Sequence, residues 1–141
     1  MKKMLIGTIA GGVTFFLLGG LIYAVILADF YEANLGSATG VMRELPIIWA
    51  MVVSQLGMGA VVTWVFLHAD VATALDGLKA GAIFGLLLGI AISFDLYSVT
   101  NWSNSTVAFF EPIVWVVRTA LAGGAIGWTL GLGGSKQPIS G

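Results

Sequence analysis

The sequence has no cysteine and one histidine. Without cysteine there is no disulfide, no thiol chemistry and no cysteine-based metal site. The one histidine, His68, has no second ligand near it in the sequence, so we interpret it as an interfacial side chain at a helix end rather than a metal ligand. No glycine-rich phosphate loop and no cluster of metal ligands is visible. We therefore predict neither a cofactor nor a metal.

Charged side chains are also scarce. They make up 9% of the 141 residues, whereas 58% are hydrophobic and the mean hydropathy is +0.99. A soluble domain carries about 25% charged residues, so lipid is the expected solvent of this chain. The net charge of −1 and the lack of a basic cluster exclude a nucleic-acid partner, which would need clustered lysine and arginine.

Four apolar runs predict an all-α membrane protein with four transmembrane helices in a single integral domain, 1–141. A span of hydrocarbon about 30 Å thick needs roughly 20 residues, and the predicted spans are 4–28, 46–67, 80–99 and 112–132. The first run is too long for the apolar core of a secretory signal, which has about 7 to 15 residues. Residues 133–141 are predicted to be a flexible cytoplasmic tail.

The chain contains an internal repeat with an offset of 66 residues, because 29–52 aligns with 95–118 without a gap. The identical pairs are Asp29/Asp95, Tyr31/Tyr97, Ser37/Ser103, Val41/Val107, Pro46/Pro112, Ile47/Ile113 and Trp49/Trp115. We predict two tandem two-helix repeats, about 4–67 and about 70–132. Each repeat crosses the membrane twice, so a parallel pseudo-twofold axis along the membrane normal should relate them.

The distribution of lysine predicts the orientation. With a cytoplasmic N-terminus, Lys2, Lys3, Lys79 and Lys136 lie inside and Arg43 alone lies outside, which is the positive-inside pattern. Both termini are then cytoplasmic, and the loops 29–45 and 97–111 face outward.

Glycines at four-residue spacing lie within the apolar runs, where small residues let transmembrane helices approach closely. The longest series continues from glycine to Ser93 in the third span, and another lies in the fourth. We predict that these glycines pack against another helix: Gly81, Gly85, Gly89, Gly123 and Gly127.

Arg118 is the most informative residue, because an ionisable side chain inside a span is costly and usually has a partner or a function. Asp95 lies at a similar depth in the third span, so we predict an ion pair between them. Tyr23 and Gln55 have depths that would let them face the same outer cavity. Alternatively, Arg118 snorkels to the lipid head groups and Asp95 only ends its helix in water.

The fourth span has two different faces on a helical wheel. Gly123 and Gly127 lie on one face. The other carries a small, polar groove that includes Arg118, and its members are Glu111, Val114, Arg118, Ala122, Ala125 and Thr129. The candidate binding or ion-pair residues are therefore Asp95, Arg118, Glu111, Gln55, Tyr23 and Asp29. The arginine has no equivalent in the first repeat, where Val52 takes its place, so the repeat does not explain it.

The segments FDLYSVTNW and EPIVWVVRTALAGGAIGW resemble small bacterial four-helix membrane proteins that are catalogued as domains of unknown function. Some of those proteins carry an Asp-Leu-Thr-Asn-like run at the outer end of the third helix, which Tyr97 to Val99 interrupt here. The resemblance implies a multi-pass protein of the bacterial inner membrane and implies no activity.

Two classes of function fit these features. The first is a non-enzymatic membrane module, either a subunit of a complex or a protein that binds a lipid or small molecule in a polar pocket in the outer half of the bundle. The second is a small membrane enzyme that acts on a lipid, with Asp95 or Glu111 as acid or base and Arg118 holding an anionic group. We favour the module, because no catalytic constellation recurs. A thin four-span bundle also suggests a homo-oligomer or a larger complex.

Overall fold

A computed structural model describes residues 1–132, and this part of the chain is helical and contains no β-strand. The predicted tail lies outside the described residues. The helices are α1 (Lys2–Leu21), a π-helical turn (Ile22–Ile26), the short α2 (Ala28–Ala33), α3 (Ile48–His68), α4 (Ala74–Val99) and α5 (Ser105–Leu132).

Four helical segments are long and apolar enough to cross a membrane: Lys2–Ile26, Ile48–His68, Ala74–Val99 and Ser105–Leu132. The chain is therefore a multi-pass membrane protein by length and composition. Because consecutive spans alternate in direction, 27–47 and 100–104 lie at one end of the bundle, which we call the loop end. The short connection 69–73 lies at the opposite end.

The two helices of the second half begin earlier than predicted. In α4, Thr73 accepts a hydrogen bond from the backbone N–H of Asp76 at 3.1 Å and donates its hydroxyl to the carboxylate at 2.7 Å. This reciprocal pair satisfies a free donor at the helix start, so residues 74–79 are helical rather than part of a loop.

The prediction of a loop over 97–111 was also wrong, because a capping side chain again starts the next helix early. The side chain of Asn104 accepts from the backbone N–H of Val107 at 3.3 Å, and α5 begins at Ser105. Pro112, which was expected to open the helix, instead lies inside it. A proline there removes one backbone hydrogen bond, which transmembrane helices tolerate when neighbouring elements supply support.

The first span ends in an unusual turn. The backbone N–H of Leu27 donates to the carbonyl of Ile22 at 2.8 Å, a five-residue separation that defines a π-helical turn. The chain then continues as α2, so residues 28–33 of the predicted polar loop are helical. This geometry keeps Tyr23 and Tyr31 on the same side of the bundle, where they meet at a ring-centroid distance of 5.2 Å.

Helices α4 and α5 pack along their length through small residues. A Cβ added at Gly85 would lie 2.5 Å from the carbonyl oxygen of Trp115, and one at Gly89 would lie 2.9 Å from the Cα of Pro112. Glycines at 77, 81, 123 and 127 are equally close to the opposing backbone. All of these glycines are buried.

Helix α1 packs against both α3 and α5. Near the end opposite the loops, the buried core contains Phe15, Val62, Phe66, Ala122, Ile126 and Leu130. Gly59 of α3 lies against the backbone of Thr8 and Gly12, since a Cβ there would be 2.6 Å from each. Gly20 and Gly57 are exposed and point away from the bundle, because a Cβ at either would meet nothing within 4 Å.

The two connections at the loop end pair with each other. Leu35 and Ser103 form an antiparallel bridge. The hydrogen bonds are Gly36 N–H to Trp102 O at 2.8 Å, Ala38 N–H to Asn101 O at 3.0 Å, Asn104 N–H to Asn34 O at 3.1 Å, and Asn104 Nδ2–H to Asn34 Oδ1 at 3.0 Å. A side chain at Gly36 would overlap the carbonyl of Asn101, so the approach requires glycine. Together these contacts make a cover over the bundle.

Candidate functional site

Arg118 lies inside the bundle, on the face of α5 that points towards α1. Its side chain is 7% exposed. One guanidinium nitrogen, Nη2, donates to Gln55 Oε1 at 3.1 Å and to the carbonyl of Phe15 at 3.5 Å, and Nη1 donates to the hydroxyl of Tyr23 at 3.4 Å. The guanidinium therefore joins α1, α3 and α5 inside the bundle, whereas snorkelling would require it to extend to the protein surface.

A chain of hydrogen bonds leads from Arg118 to a carboxylate. Tyr23 accepts from the arginine and donates its own hydroxyl to Oε1 of Glu111, while Tyr31 donates to Oε2. Glu111 lies seven residues before Arg118 on the same helix. The positive and negative charges are thus connected through one tyrosine, and both carboxylate oxygens are occupied.

Tyr31 lies outside the membrane-spanning helices, in α2. Burial raises the pKa of its phenol above the ordinary value, and the hydrogen bond to Glu111 and the negative charge of that residue raise the pKa further. A neutral phenol is the donor form. Tyr31 therefore keeps its proton and its hydrogen bond to Glu111 at neutral pH.

Aromatic rings enclose the arginine. The guanidinium carbon lies 5.1 Å from the ring centroid of Tyr23, 5.7 Å from that of Trp115 and 5.8 Å from that of Phe15. Rings within about 6 Å attract a cation through their quadrupole. These contacts help to offset the loss of water around the buried charge.

A cavity of about 440 Å³ lies between the arginine and the loop end, within the usual size of ligand pockets, about 300–1,000 Å³. The π-helical turn, helices α2, α4 and α5, and both loop-end connections contribute to its lining. Among residues 1–132, the only charged residues in the lining are Glu111 and Arg118. Most of the wall is apolar and aromatic, including Leu35, Met42, Ile92, Leu96, Trp102 and Trp115.

Two polar groups beside the cavity have no hydrogen-bond partner among residues 1–132. These are the hydroxyl of Ser93, a residue that is 7% exposed, and Nε of Arg118. Both residues contribute to the cavity lining. A buried polar group without a partner is costly and calls for an explanation, such as an absent ligand or water.

The structure brings together four of the predicted site residues: Arg118, Glu111, Gln55 and Tyr23. It does not bring Asp95 to Arg118, because Asp95 is exposed and does not line the cavity. The predicted ion pair is therefore absent from the structure. The reason is rotation rather than depth: Ser93 faces the bundle interior, and a residue two positions later points about 200° away around an α-helix.

Asp29 also stays apart from the cavity. Its side chain is exposed on α2 and does not line the cavity, whereas Tyr31, two residues later, reaches Glu111. The 66-residue offset aligns Tyr31 with Tyr97 as it aligns Asp29 with Asp95, so a signal for Tyr31 was present in the sequence.

Three further cavity residues were missed as site residues. Trp115 was noted only as the residue aligned with Trp49, but it is partly buried beside Gly89 and lines the cavity, whereas Trp49 is exposed. Ser93 was noted only as the continuation of the glycine series. Trp102 belongs to the loop-end cover, where its indole N–H donates to Met42 Sδ at 3.4 Å, and no local pattern predicts that contact.

Comparisons of the chain with protein-family models, with curated proteins and with solved structures found no match. The resemblance to small bacterial four-helix proteins therefore stays a prediction. Any proposal about function depends on the geometry of the site.

Proposed function

We propose that this protein is a non-enzymatic membrane module that binds a lipid or another amphipathic small molecule in the cavity at the loop end. The observation that carries the proposal is the cavity itself: an apolar, aromatic wall with convergent polar groups on Arg118, Glu111 and Ser93. Ligand pockets have this composition, with a few polar groups that fix the orientation of an otherwise apolar molecule.

The unpartnered groups add support that the volume alone does not give. A polar network inside a membrane protein that is purely structural should satisfy its own donors. Here the network satisfies Glu111 twice but leaves Nε of Arg118 and the hydroxyl of Ser93 without partners among residues 1–132. A bound molecule with an acceptor atom would supply the missing partner.

The enzyme alternative receives less support. It assigned acid or base chemistry to Asp95 or Glu111, but Asp95 is exposed and outside the cavity. Both oxygens of Glu111 accept hydrogen bonds from tyrosines, so this carboxylate is already engaged within the protein. Turnover of a bound lipid by the purified protein would decide for the enzyme.

The test is to purify the protein in a mild detergent, extract it with organic solvent and identify the retained molecules by mass spectrometry. We expect one species at close to one molecule per chain. Leu96→Trp, which places a large ring in the cavity wall, should lose it. Leu87→Trp is the matched control, because Leu87 lies on the same helix but is exposed and does not line the cavity.

The outcome against the proposal is equally concrete. If the parent retains only the lipids found around any membrane protein, or if Leu96→Trp and Leu87→Trp retain the same molecule equally, the cavity is not a binding site. Both variants must elute as single, monodisperse peaks for the comparison to count.

The proposal includes an architecture of two tandem two-helix repeats around a parallel pseudo-twofold axis. The pairing at the loop end supports it. Gly36 contacts Trp102, and these residues are separated by the repeat offset of 66. The contacts on either side run antiparallel, as two copies related by a twofold axis would. An experimental structure in which residues 13–64 cannot be superposed on 79–130 would reject the repeat.

The proposed location is the bacterial inner membrane, with both termini in the cytoplasm. The positions of the lysines support this orientation, since positively charged residues favour the cytoplasmic side. A reporter fused after Gly141 should be active only in the cytoplasm. Activity on the external side would reverse the topology and place the cavity at the inner surface.

The module is also proposed to work as a homo-oligomer or as a subunit of a membrane complex. Helix α3 makes few contacts with α4, so the bundle is open along one side. Light scattering of the detergent-solubilised protein, corrected for bound detergent, should give a particle mass above that of one chain, which is 14.7 kDa. A monomer, together with no associated protein, would contradict this part.

A further inference from the structure

The charges in the cavity wall restrict the kind of head group that it can hold. Arg118 and Glu111 are the only charged residues that the described part of the chain contributes to the lining, and they carry opposite signs. Tyr23 connects them by donating to the carboxylate and accepting from the guanidinium. The wall is therefore electrically balanced before any ligand enters.

The guanidinium has little capacity left for an anion. Nη1 donates to Tyr23, and Nη2 donates to Gln55 and to the carbonyl of Phe15. A carboxylate or phosphate is normally held by two parallel N–H groups of the arginine fork. Binding one here would displace existing partners and would leave one negative charge uncompensated in an apolar enclosure, which is costly.

A cationic head group meets the same difficulty in the opposite sense. Glu111 already accepts from Tyr23 and Tyr31, so neither oxygen is without a donor. An added ammonium would leave one positive charge uncompensated near Arg118. A head group without net charge preserves the balance. An uncharged one does so without placing either pole of a zwitterion beside a guanidinium and a carboxylate that already have partners.

The unpartnered groups indicate the polarity of that head group. Nε of Arg118 can only donate a hydrogen bond, and a serine hydroxyl can donate as well as accept. Both lack a partner among the described residues. The complementary atom is an acceptor oxygen without charge, such as that of a ketone, ester, quinone or ether.

We propose that the cavity selects an uncharged amphiphile whose head is a carbonyl-type oxygen at Arg118 and Ser93 and whose apolar body lies against Ile92, Leu96 and Trp102. This inference rests on the proposed function, because it assumes that the cavity binds a ligand. It replaces the anionic head group that the sequence alone suggested for Arg118.

The experiment compares probes that have the same chain and different heads: 2-dodecanone, dodecanoate, dodecylammonium and dodecane. The full-length protein is placed in nanodiscs, and probe bound per chain is measured by native mass spectrometry, with empty nanodiscs and Leu96→Trp as blanks. We expect 2-dodecanone to bind at least about tenfold more tightly than either charged probe, because the charged probes bring an uncompensated charge.

Charge variants should then reverse the preference. Glu111→Gln leaves Arg118 without its counter-charge, so dodecanoate should become the preferred probe. Arg118→Gln leaves Glu111 alone, so dodecylammonium should be preferred. Each variant is compared with the parent only if it is monodisperse, and if neither is, the ranking of the probes in the parent decides by itself.

The possible failures are distinct. Tightest binding of dodecanoate or dodecylammonium to the parent, lost in Leu96→Trp, would overturn the neutral head group but leave a binding cavity. Tightest binding of dodecane would also overturn it, since the head would then contribute nothing. No binding of any probe above the blanks would overturn the proposed function together with this inference.

Discussion

The two faces of α5 are built by opposite means. Towards α4, the helix presents Gly123 and Gly127 and receives Gly81 and Gly85 of the facing helix, so backbone lies on backbone. Towards α1, it presents Arg118 and Glu111, and the helices are joined through polar side chains and aromatic rings. The contact with α4 depends on glycines, which have no side chain, whereas the contact with α1 is made by long side chains.

The difference shows how a thin membrane bundle can hold both a rigid contact and a cavity. In lipid, helices are held together by close packing and by hydrogen bonds rather than by the hydrophobic effect. Close packing at the glycine face leaves no space for a ligand. On the other face, Arg118 and Glu111 form hydrogen bonds to α1 and the π-helical turn, and the cavity lies beside them at the loop end.

The largest expected effect is at the glycine face. Gly85→Leu should destabilise the protein by about 3 kcal/mol or more, because overpacking costs typically 1–3 kcal/mol and here even a Cβ would lie 2.5 Å from the carbonyl oxygen of Trp115. The measurement is thermal unfolding of the purified protein, followed by circular dichroism and by loss of the monodisperse peak.

Gly57→Leu is the matched control for that substitution. It introduces the same side chain into a transmembrane helix, but a Cβ at Gly57 meets nothing within 4 Å. It should unfold like the parent. If Gly85→Leu also behaves like the parent, the glycine face does not hold α4 against α5.

An effect of comparable size is expected at the polar face. Arg118→Leu should destabilise the protein by about 3–5 kcal/mol, since removing one member of a buried charge pair leaves the other uncompensated. Glu111→Gln should be destabilising for the same reason. The double variant should lose clearly less than the sum of the single losses, because the two charges are coupled through Tyr23.

Asp95→Asn serves as the control for this cycle. Its carboxylate is exposed and is not among the partners of Arg118, so its loss and that of Arg118 should add. Coupling of Asp95 to Arg118 stronger than that of Glu111 would mean that the predicted ion pair forms after all.

A smaller loss should follow from Tyr31→Phe, which removes one donor to Glu111 while keeping the ring. A hydrogen bond to a charged group contributes about 1.5–3 kcal/mol. Tyr97→Phe, the same change at the residue aligned with Tyr31 by the 66-residue offset, affects an exposed ring and should change stability little. Equal losses for both variants would argue that the phenol of Tyr31 has no special role.

The smallest effect is on titration. The raised pKa of Tyr31 predicts that it ionises at higher pH than free tyrosine, whose pKa is about 10. Its contribution to stability is then complete below pH of about 10 and is lost as the pH rises through the folded pKa. The ultraviolet titration of the parent, minus that of Tyr31→Phe, should show the ionisation of Tyr31 above pH of about 10. A difference spectrum that appears below pH 10 would contradict it.

Some of what the structure shows could be read from the sequence with more care. The four spans follow from composition, and the partners of Arg118 at Tyr23 and Gln55 follow from their depths. The ion pair with Asp95 was predicted from depth alone, although the helical position of Ser93 in the glycine series already turned Asp95 to another side. The capping residues Thr73 and Asn104 also indicate in the sequence that α4 and α5 begin earlier than predicted.

The sequence by itself determined the number of spans, the small-residue face of α4 and the need for Arg118 to find partners, because hydrophobicity, residue size and the cost of a buried charge are local properties. Only the tertiary structure decided that Glu111 is reached through Tyr23, that Tyr31 reaches the same carboxylate, and that two distant loops cover the cavity. Those contacts join residues far apart in the chain, and they depend on a π-helical turn and on the relative rotation of packed helices, which no local pattern specifies.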